Sequence, residues 1–235
     1  MKMKSLYFFP KAKAAFFDLD ETLTDADTDV MWEKWRLTRS PRSVLEILWL
    51  LKLHWQYIHG RFNIHTYMRY QNFRMKKISP GRFREMAERF FQKRGIKHIN
   101  VQAAELVDEY QRLEIPVVMI TNQHQVIAGP FAQHLGIRHV LANRNIEHEN
   151  RFGETMTPYC FGEGKVQHAR QWCNDRGITL AEAAFYSDSH HDMPLLLECG
   201  YPVAVNPGPD LKREAAERGW PAMLLEPKSE PKKKK

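Results

Sequence analysis

Four short apolar runs, each ending abruptly in polar or acidic residues, constrain this chain more than any other feature. Ala14-Ala15-Phe16-Phe17 ends at Asp18, and Ile115-Pro116-Val117-Val118-Met119-Ile120 ends at Thr121-Asn122-Gln123. Ala183-Ala184-Phe185-Tyr186 ends at Ser187-Asp188-Ser189, and Tyr201-Pro202-Val203-Ala204-Val205 ends at Asn206-Pro207-Gly208. Runs this short and this sharply punctuated read as buried strands. Helical patterns fill the intervals, over roughly Val101 to Leu113, Gln125 to Leu135, Gly164 to Arg176 and Asp192 to Glu198. Strands alternating with helices predict an α/β fold, a Rossmann-like doubly wound parallel sheet with helices on both faces. Such sheets bind ligands beyond the C-terminal ends of their strands, where backbone N–H groups and helix N-termini converge. Three of the four ends carry Asp or Thr, so pattern alone gathers a polar cluster into one crevice.

Residues 18–114 separate the first two strands, far too many for one crossover. Within them, residues 29–98 hold Trp32, Trp35, Trp49, Trp55, Tyr57, Tyr67, Tyr70 and Phe73 among helix formers, which predicts an inserted helical cap over the crevice. The expected organisation is a core of residues 1–28 and 99–227, a cap of residues 29–98, and a disordered Lys-rich tail of residues 228–235. Asn143-Arg144-Asn145 and Gly153 predict a short hairpin near residues 143–157.

Composition adds exclusions. With 43% hydrophobic and 27% charged residues the chain is globular and not disordered. Lys232 to Lys235 supply four charges of a formal net +7, and a terminal lysine block is first a solvated end, so no nucleic-acid partner is expected. Cys160, Cys173 and Cys199 are odd in number and form no Cys-x-x-Cys pair, which argues against a disulfide framework and fits a reducing cytoplasm. The apolar run Leu6 to Phe9 stops at Pro10-Lys11, too short for a secretory signal, and no stretch approaches the ~18 uncharged residues of a membrane span. A cytoplasmic protein, monomeric or weakly dimeric, is the expectation.

The order of the polar residues is more specific than any one of them. Asp18-Leu19-Asp20 is followed by Thr121, then Lys165, then Asp188 and Asp192. In this the chain resembles the haloacid dehalogenase (HAD) superfamily, in its phosphoserine-phosphatase-like branch, subfamily IB. The matching segments are Phe16-Phe17-Asp18-Leu19-Asp20, Ile120-Thr121-Asn122, Gly164-Lys165, Tyr186-Ser187-Asp188-Ser189 and Asp192-Met193-Pro194. The resemblance covers the whole core, and the insertion matches the helical cap placed between the first two motifs.

What the resemblance implies is a Mg²⁺-dependent phosphomonoester hydrolase. A carboxylate nucleophile facing a phosphate anion needs its repulsion cancelled, and Mg²⁺, a hard ion with oxygen ligands, does so. By resemblance Asp18 and Asp188 supply carboxylate ligands, Asp20 a backbone carbonyl, and Asp192 a hold on a metal-bound water. Asp18 would attack phosphorus to give an aspartyl-phosphate. Asp20 would protonate the leaving alkoxide and then deprotonate water. Lys165 and the Thr121 hydroxyl would hold the equatorial oxygens, with N–H groups of Leu19, Asp20 and Asn122 as further donors. A halide leaving group needs no proton, so Asp20 favours phosphate esters over dehalogenation.

Taken singly, each residue has a plainer reading. Asp-x-Asp is commonly a turn, Asp188 and Asp192 could cap the next helix, and Lys165 could lie on the surface. Asp25, Asp27 and Asp29 could meet substrate or cap the first cap helix. His190-His191 and Glu21 depart from the family pattern, Glu21 replacing a usual Gly, Ser or Asn in a backbone loop. The apolar segment Val44 to Trp55 reads as a buried cap face, or alternatively as a surface for an acyl chain. Phosphoserine, histidinol phosphate and, as an alternative, a lysophospholipid are candidate substrates. Arg36, Arg39, Arg42, Arg61, Arg69 and Arg74 are candidate grips. A non-catalytic scaffold is the reading from another class; it would require a lost motif residue, and none is lost.

Overall fold

The computed structural model describes residues 7–37, 52 and 63–226. Among the described residues, β1 (Ala14–Phe17), β2 (Val117–His124), β3 (His139–Asn143), β6 (Ala183–Ser187), β7 (Tyr201–Val205) and β8 (Ala222–Met223) form one parallel sheet. Their order across it is β3-β2-β1-β6-β7-β8. The remaining pair, β4 (Asn145–His148) and β5 (Arg151–Thr155), is an antiparallel hairpin within the interval predicted for one. The predicted doubly wound sheet is the observed one.

Strand periodicity divides the core. Ala15, Phe17, Val117, Met119, Ala184 and Tyr186 face one side, packed with α4 (Val101–Arg112) and α5 (Gln125–His134). Ala14, Phe16, Val118, Ile120, Ala183 and Phe185 face the other, with α6 (Glu163–Asn174), α7 (Met193–Glu198) and α8 (Pro209–Arg218). Alternate residues of a strand point to opposite faces, so strands apolar throughout are what a sheet covered on both sides requires. Phe16, Phe17, Phe185 and Tyr186 are at most 1% exposed, and each such burial stabilises the fold by roughly 1.5–3 kcal/mol.

Two edge strands are not announced by the sequence. β3 is only half-buried over His139 to Leu141, and β8 is two residues long. Neither makes the continuous apolar run by which the central strands are recognised. β2 also runs beyond Ile120 through Thr121-Asn122-Gln123, and its pairing with β3 shifts register between Ile120 and His124. That irregularity re-aims side chains at the sheet edge.

Between β1 and β2 lie α1 (Thr28–Leu37), α2 (Ile64–Met75) and α3 (Pro80–Lys93). Asn63 caps α2 by accepting from Thr66 N, and Ser79 caps α3 with Pro80 in its first turn. Trp32 meets Phe83 and Phe90 edge-on at 5.5 and 5.3 Å, and Phe91 meets Phe131 of α5 at 4.9 Å. The inserted helices therefore share the apolar cluster on one face of the sheet. The hairpin clasps α2 through buried Asn72, whose Oδ1 accepts from Asn145 Nδ2 (2.8 Å), Thr155 N (3.1 Å) and Thr155 Oγ1 (2.6 Å). The apolar segment Val44 to Trp55 (Lys52 apart), Tyr57, the candidate grips Arg39, Arg42 and Arg61, and the Lys-rich tail lie outside the described residues. Among the described residues no helix is long and apolar enough to cross a membrane.

Candidate active site

The chain runs β1→β2→β3 to one side of β1 and then returns to β6 on the other, so the sheet's topological switch point lies between β1 and β6. Ligands bind at such points, and Asp18 and Asp188 stand immediately beyond these two strands. Asp18 N–H still donates to the Tyr186 carbonyl at 3.0 Å, so its backbone remains in the sheet where its side chain leaves it. A wide turn, Leu19–Leu23, follows and is closed by Thr24, whose N–H and Oγ1–H both donate to the Leu19 carbonyl at 3.0 Å.

Within that turn Glu21 has φ +50°, a left-handed conformation that suits Gly or Asn. The family's usual residue types at this position thereby acquire a physical reason. Glu21 also lies close enough to Asp188 for its charge to oppose Asp188 ionisation. Glu21→Gly is expected to raise stability by about 1 kcal/mol with activity retained. Thermal melts and turnover assays check it; a variant melting lower than the parent contradicts this expectation.

Lys165 enters from α6. A Cβ on Gly164 would stand 1.8 Å from the Tyr159 carbonyl, so only glycine lets the start of α6 close down on that loop. Lys165 Nζ lies 3.0 Å from Asp18 Oδ1 and 2.8 Å from Asp192 Oδ2. Asp192 Oδ2 also accepts from Ser187 Oγ at 2.6 Å, and Ser187 Oγ accepts from Ser189 N at 3.1 Å. Thr121 is fully buried on β2, and its Oγ1 accepts from Gln123 N at 3.0 Å, which leaves the hydroxyl proton to donate elsewhere. Asp20 Oδ1 accepts from Thr28 N, in the first turn of α1, at 2.6 Å. The Asn122 carbonyl accepts from Asn143 Nδ2 at 2.6 Å.

Electrostatically the cluster carries surplus acid. Burial pushes the Asp18 carboxyl up to about 6 despite the opposing Lys165 charge. Burial, then the charges of Asp18 and Asp192, push Asp188 up to about 8. Asp20 is raised well above the usual carboxylate range by burial and by Asp27 and Asp18. Burial works against the Lys165 ammonium, but Asp18 and Asp192 overcome it and raise its pKa. Asp18, Asp188 and Asp192 thus share one ammonium, and the deficit of positive charge with an all-oxygen donor set fits a hard divalent cation. Among the described residues no three His, Cys, Asp or Glu side chains close around an ion by themselves. Mg²⁺ does not need them to, since one or two carboxylates, a carbonyl, waters and substrate phosphate complete its octahedron.

A pH dependence follows from the raised carboxyls. Between their unfolded value near 4 and their folded values, the folded protein binds more protons than the unfolded chain, so its stability falls as pH rises. For the metal-free protein the melting temperature is expected to fall from pH 5 to pH 8, through the values of about 6 for Asp18 and about 8 for Asp188. Added Mg²⁺ should restore much of the loss at pH 8. Melts in chelator at both pH values test this, and a flat profile contradicts it.

Residues 15–197 match the family model of haloacid dehalogenase-like hydrolases. The chain belongs to that family. It is 29% identical over 215 residues to a histidinol-phosphatase of Neisseria meningitidis serogroup C, covering 89% of this chain and 97% of that one. A protein of unknown function from Bordetella pertussis Tohama I superposes with a TM-score of 0.82 at 27% identity, over 89% of this chain and 97% of that one. A phosphoserine phosphatase, solved as an analogue of its phospho-aspartyl intermediate, superposes at 0.67 over 92% of this chain and 95% of that one; at 17% identity it speaks for the fold alone. The chain is an enzyme of the HAD-like hydrolase family, as its motifs led us to expect.

In this HAD hydrolase, Asp18, Lys165 and Asp192 are in direct contact, Asp188 lies within reach of their charges, and Asp20 turns toward α1. Asp27 caps α1 through Val30 N at 2.8 Å, and Asp25 pairs with His98 at 2.7 Å. Asp29 lines a small cavity of about 40 Å³ together with Tyr67, Gln71, Arg74, Asn122 and Gln123. Arg74 is engaged by Glu33 at 2.6 Å, as is Arg36 at 3.2 Å, while Arg69 is exposed. His191 is half-buried with its ring 5.0 Å from Phe161, and His190 is exposed. Sequence reasoning assigned no role to Ser187, Gln123 or Thr28. Ser187 lies within Tyr186-Ser187-Asp188-Ser189 and Gln123 directly follows Ile120-Thr121-Asn122, which is the signal that could have singled them out; Thr28 carries none.

Proposed function

We propose that the chain is a Mg²⁺-dependent phosphomonoester hydrolase working through an aspartyl-phosphate on Asp18, with residues 29–98 forming a cap that selects the substrate. The observation that carries this reading is the second acid, Asp20, two residues after the expected nucleophile and held by Thr28 N at 2.6 Å. When bound, Mg²⁺ would be held by Asp18, Asp188 and the Asp20 carbonyl, with Asp192 on a water ligand, and would supply charge neutralisation between carboxylate and phosphate.

Asp18 Oδ forms a bond to phosphorus as the ester P–O bond breaks, and Asp20 gives its proton to the departing alkoxide oxygen. Asp20, now a carboxylate, takes a proton from the water that attacks the aspartyl-phosphate, which returns Asp18 and releases phosphate. The raised pKa of Asp20 suits it to begin the cycle protonated. Lys165, Thr121 and the N–H groups of Leu19, Asp20 and Asn122 would receive the phosphoryl oxygens, whose charge persists through the transition state.

A small alkyl phosphate is the favoured substrate class. Similarity to the Neisseria histidinol-phosphatase over most of both chains puts histidinol phosphate first, and similarity to a phosphoserine phosphatase of Mycobacterium tuberculosis puts phosphoserine second. A panel of phosphorylated metabolites with Mg²⁺, including histidinol phosphate, phosphoserine and lysophosphatidate, tests the assignment by phosphate release. Preference for lysophosphatidate would overturn it.

A further inference from the structure

The general acid of this site needs an orientation as well as a pKa, and the orientation comes from residues outside the four motifs' expected roles. Thr28 N donates to Asp20 Oδ1 at 2.6 Å. The carbonyl oxygen is the stronger acceptor of a carboxyl group, so this N–H sets Oδ1 as the acceptor and leaves Oδ2 as the oxygen suited to carry a proton. Thr28 is itself fully buried, and its Oγ1 accepts from Gln123 Nε2 at 3.1 Å. The same Nε2 donates to Asp29 Oδ1 at 2.8 Å, while Gln123 Oε1 accepts from His124 N at 2.7 Å. Every polar atom of this carboxamide, 2% exposed, is therefore engaged, and the amide has one orientation. Gln123 also donates its backbone N–H to Thr121 Oγ1 at 3.0 Å. One residue at the end of β2 thus ties the phosphate-facing hydroxyl to the first turn of α1.

We propose that Gln123 and Thr28 are positioning residues that hold the Asp20 carboxyl with Oδ1 engaged and Oδ2 turned toward the leaving oxygen, through the chain Gln123 Nε2, Thr28 Oγ1, Thr28 N–H and Asp20 Oδ1. Asp29 extends this link to the cap, because its Oδ2 accepts from Tyr67 OH of α2 at 2.7 Å and Tyr67 in turn accepts from Gln71 at 2.6 Å. The proposal rests on the phosphatase reading and adds to it the residues that aim the acid.

The test exploits leaving groups. A general acid matters most for a poor leaving group and little for a good one, and displacement by about 1 Å can cost ~10²-fold. Turnover of phenyl phosphate and p-nitrophenyl phosphate is compared in the full chain with Mg²⁺. Gln123→Leu and Thr28→Val are expected to lower kcat/KM, which reports the step that breaks the ester bond and not the later hydrolysis common to both esters, at least ~10-fold more for phenyl phosphate than for p-nitrophenyl phosphate. Thr28→Ser, which keeps Oγ1, should return the ratio to that of the parent. An equal loss on both esters, or no loss on either, overturns the proposal, because damage to folding or to phosphate binding moves both alike. Thr28→Val is nearly isosteric and decides the matter alone if Gln123→Leu does not fold. A parent protein inert toward both esters overturns the phosphatase reading together with this one, whereas an active parent with an unchanged ratio overturns only this one.

Discussion

Asp18→Asn is expected to lower phosphate release from p-nitrophenyl phosphate by at least ~10⁴-fold while leaving the fold intact. An amide oxygen is a poor nucleophile, and the substitution removes both the attacking atom and half of the charge that would attract the metal. The fold should survive because Asn retains a carbonyl able to accept from Lys165 Nζ, now 3.0 Å from Asp18 Oδ1. It also removes a buried carboxyl whose ionisation is already opposed, being raised to about 6. The variant should therefore melt no lower than the parent at pH 8 in chelator. Turnover above background in the purified Asp18→Asn protein would sink the nucleophile assignment.

Lys165→Met should be nearly as costly to activity and much more costly to stability. Lys165 is 3% exposed and stands between two acids that are themselves at most 6% exposed. Methionine fills similar volume without charge, so Asp18 and Asp192 are left buried with no cation, at a cost of ~3 kcal/mol by the usual penalty for breaking a buried pair. The sign of the pH effect separates this from simple misfolding. With the ammonium gone the Asp18 and Asp188 carboxyls, whose ionisation Lys165 favours, hold their protons to higher pH, so the melting deficit should be large at pH 8 and small at pH 5. Activity should fall by ~10³-fold, as for loss of a buried donor to the transferring phosphoryl group. Lys165→Arg is not expected to rescue it, since a planar guanidinium cannot occupy the point between two carboxylates that an ammonium fills. A deficit equal at both pH values would contradict the electrostatic account.

How much of this was legible in the sequence depended on where the signal sits. β1, β6 and β7 were readable because strands buried on both faces must be apolar throughout, and their polar ends were readable because the chain there leaves the core. β3 and β8 were not, since an edge strand has no such demand on its composition. The nearness of Asp18, Lys165 and Asp192 follows from ordered motifs on neighbouring elements, and the geometry brings those three side chains into contact. Thr28 had no comparable signal: a threonine at a helix start is an ordinary residue until the partner of its N–H is known. Asp27 and Asp29, close together in one acidic stretch, had the same two readings; contact geometry makes Asp27 a helix cap and gives Asp29 a role between β2 and α2. Glu21 looked like a departure from the family, and its backbone angle gives that departure a structural meaning.

The long insertion has a consequence for biosynthesis. β1 pairs on one side with β2, register Ala15 to Val117, and on the other with β6, register Ala14 to Ala183. A ribosome adding about 5–20 residues per second delivers the first partner only after some 5–20 s and the second several seconds later. Throughout that interval Ala14 to Phe17 has neither of the strands with which it pairs in the fold. The strand that ends at Asp18 is thus made before both of its partners and becomes part of the sheet late.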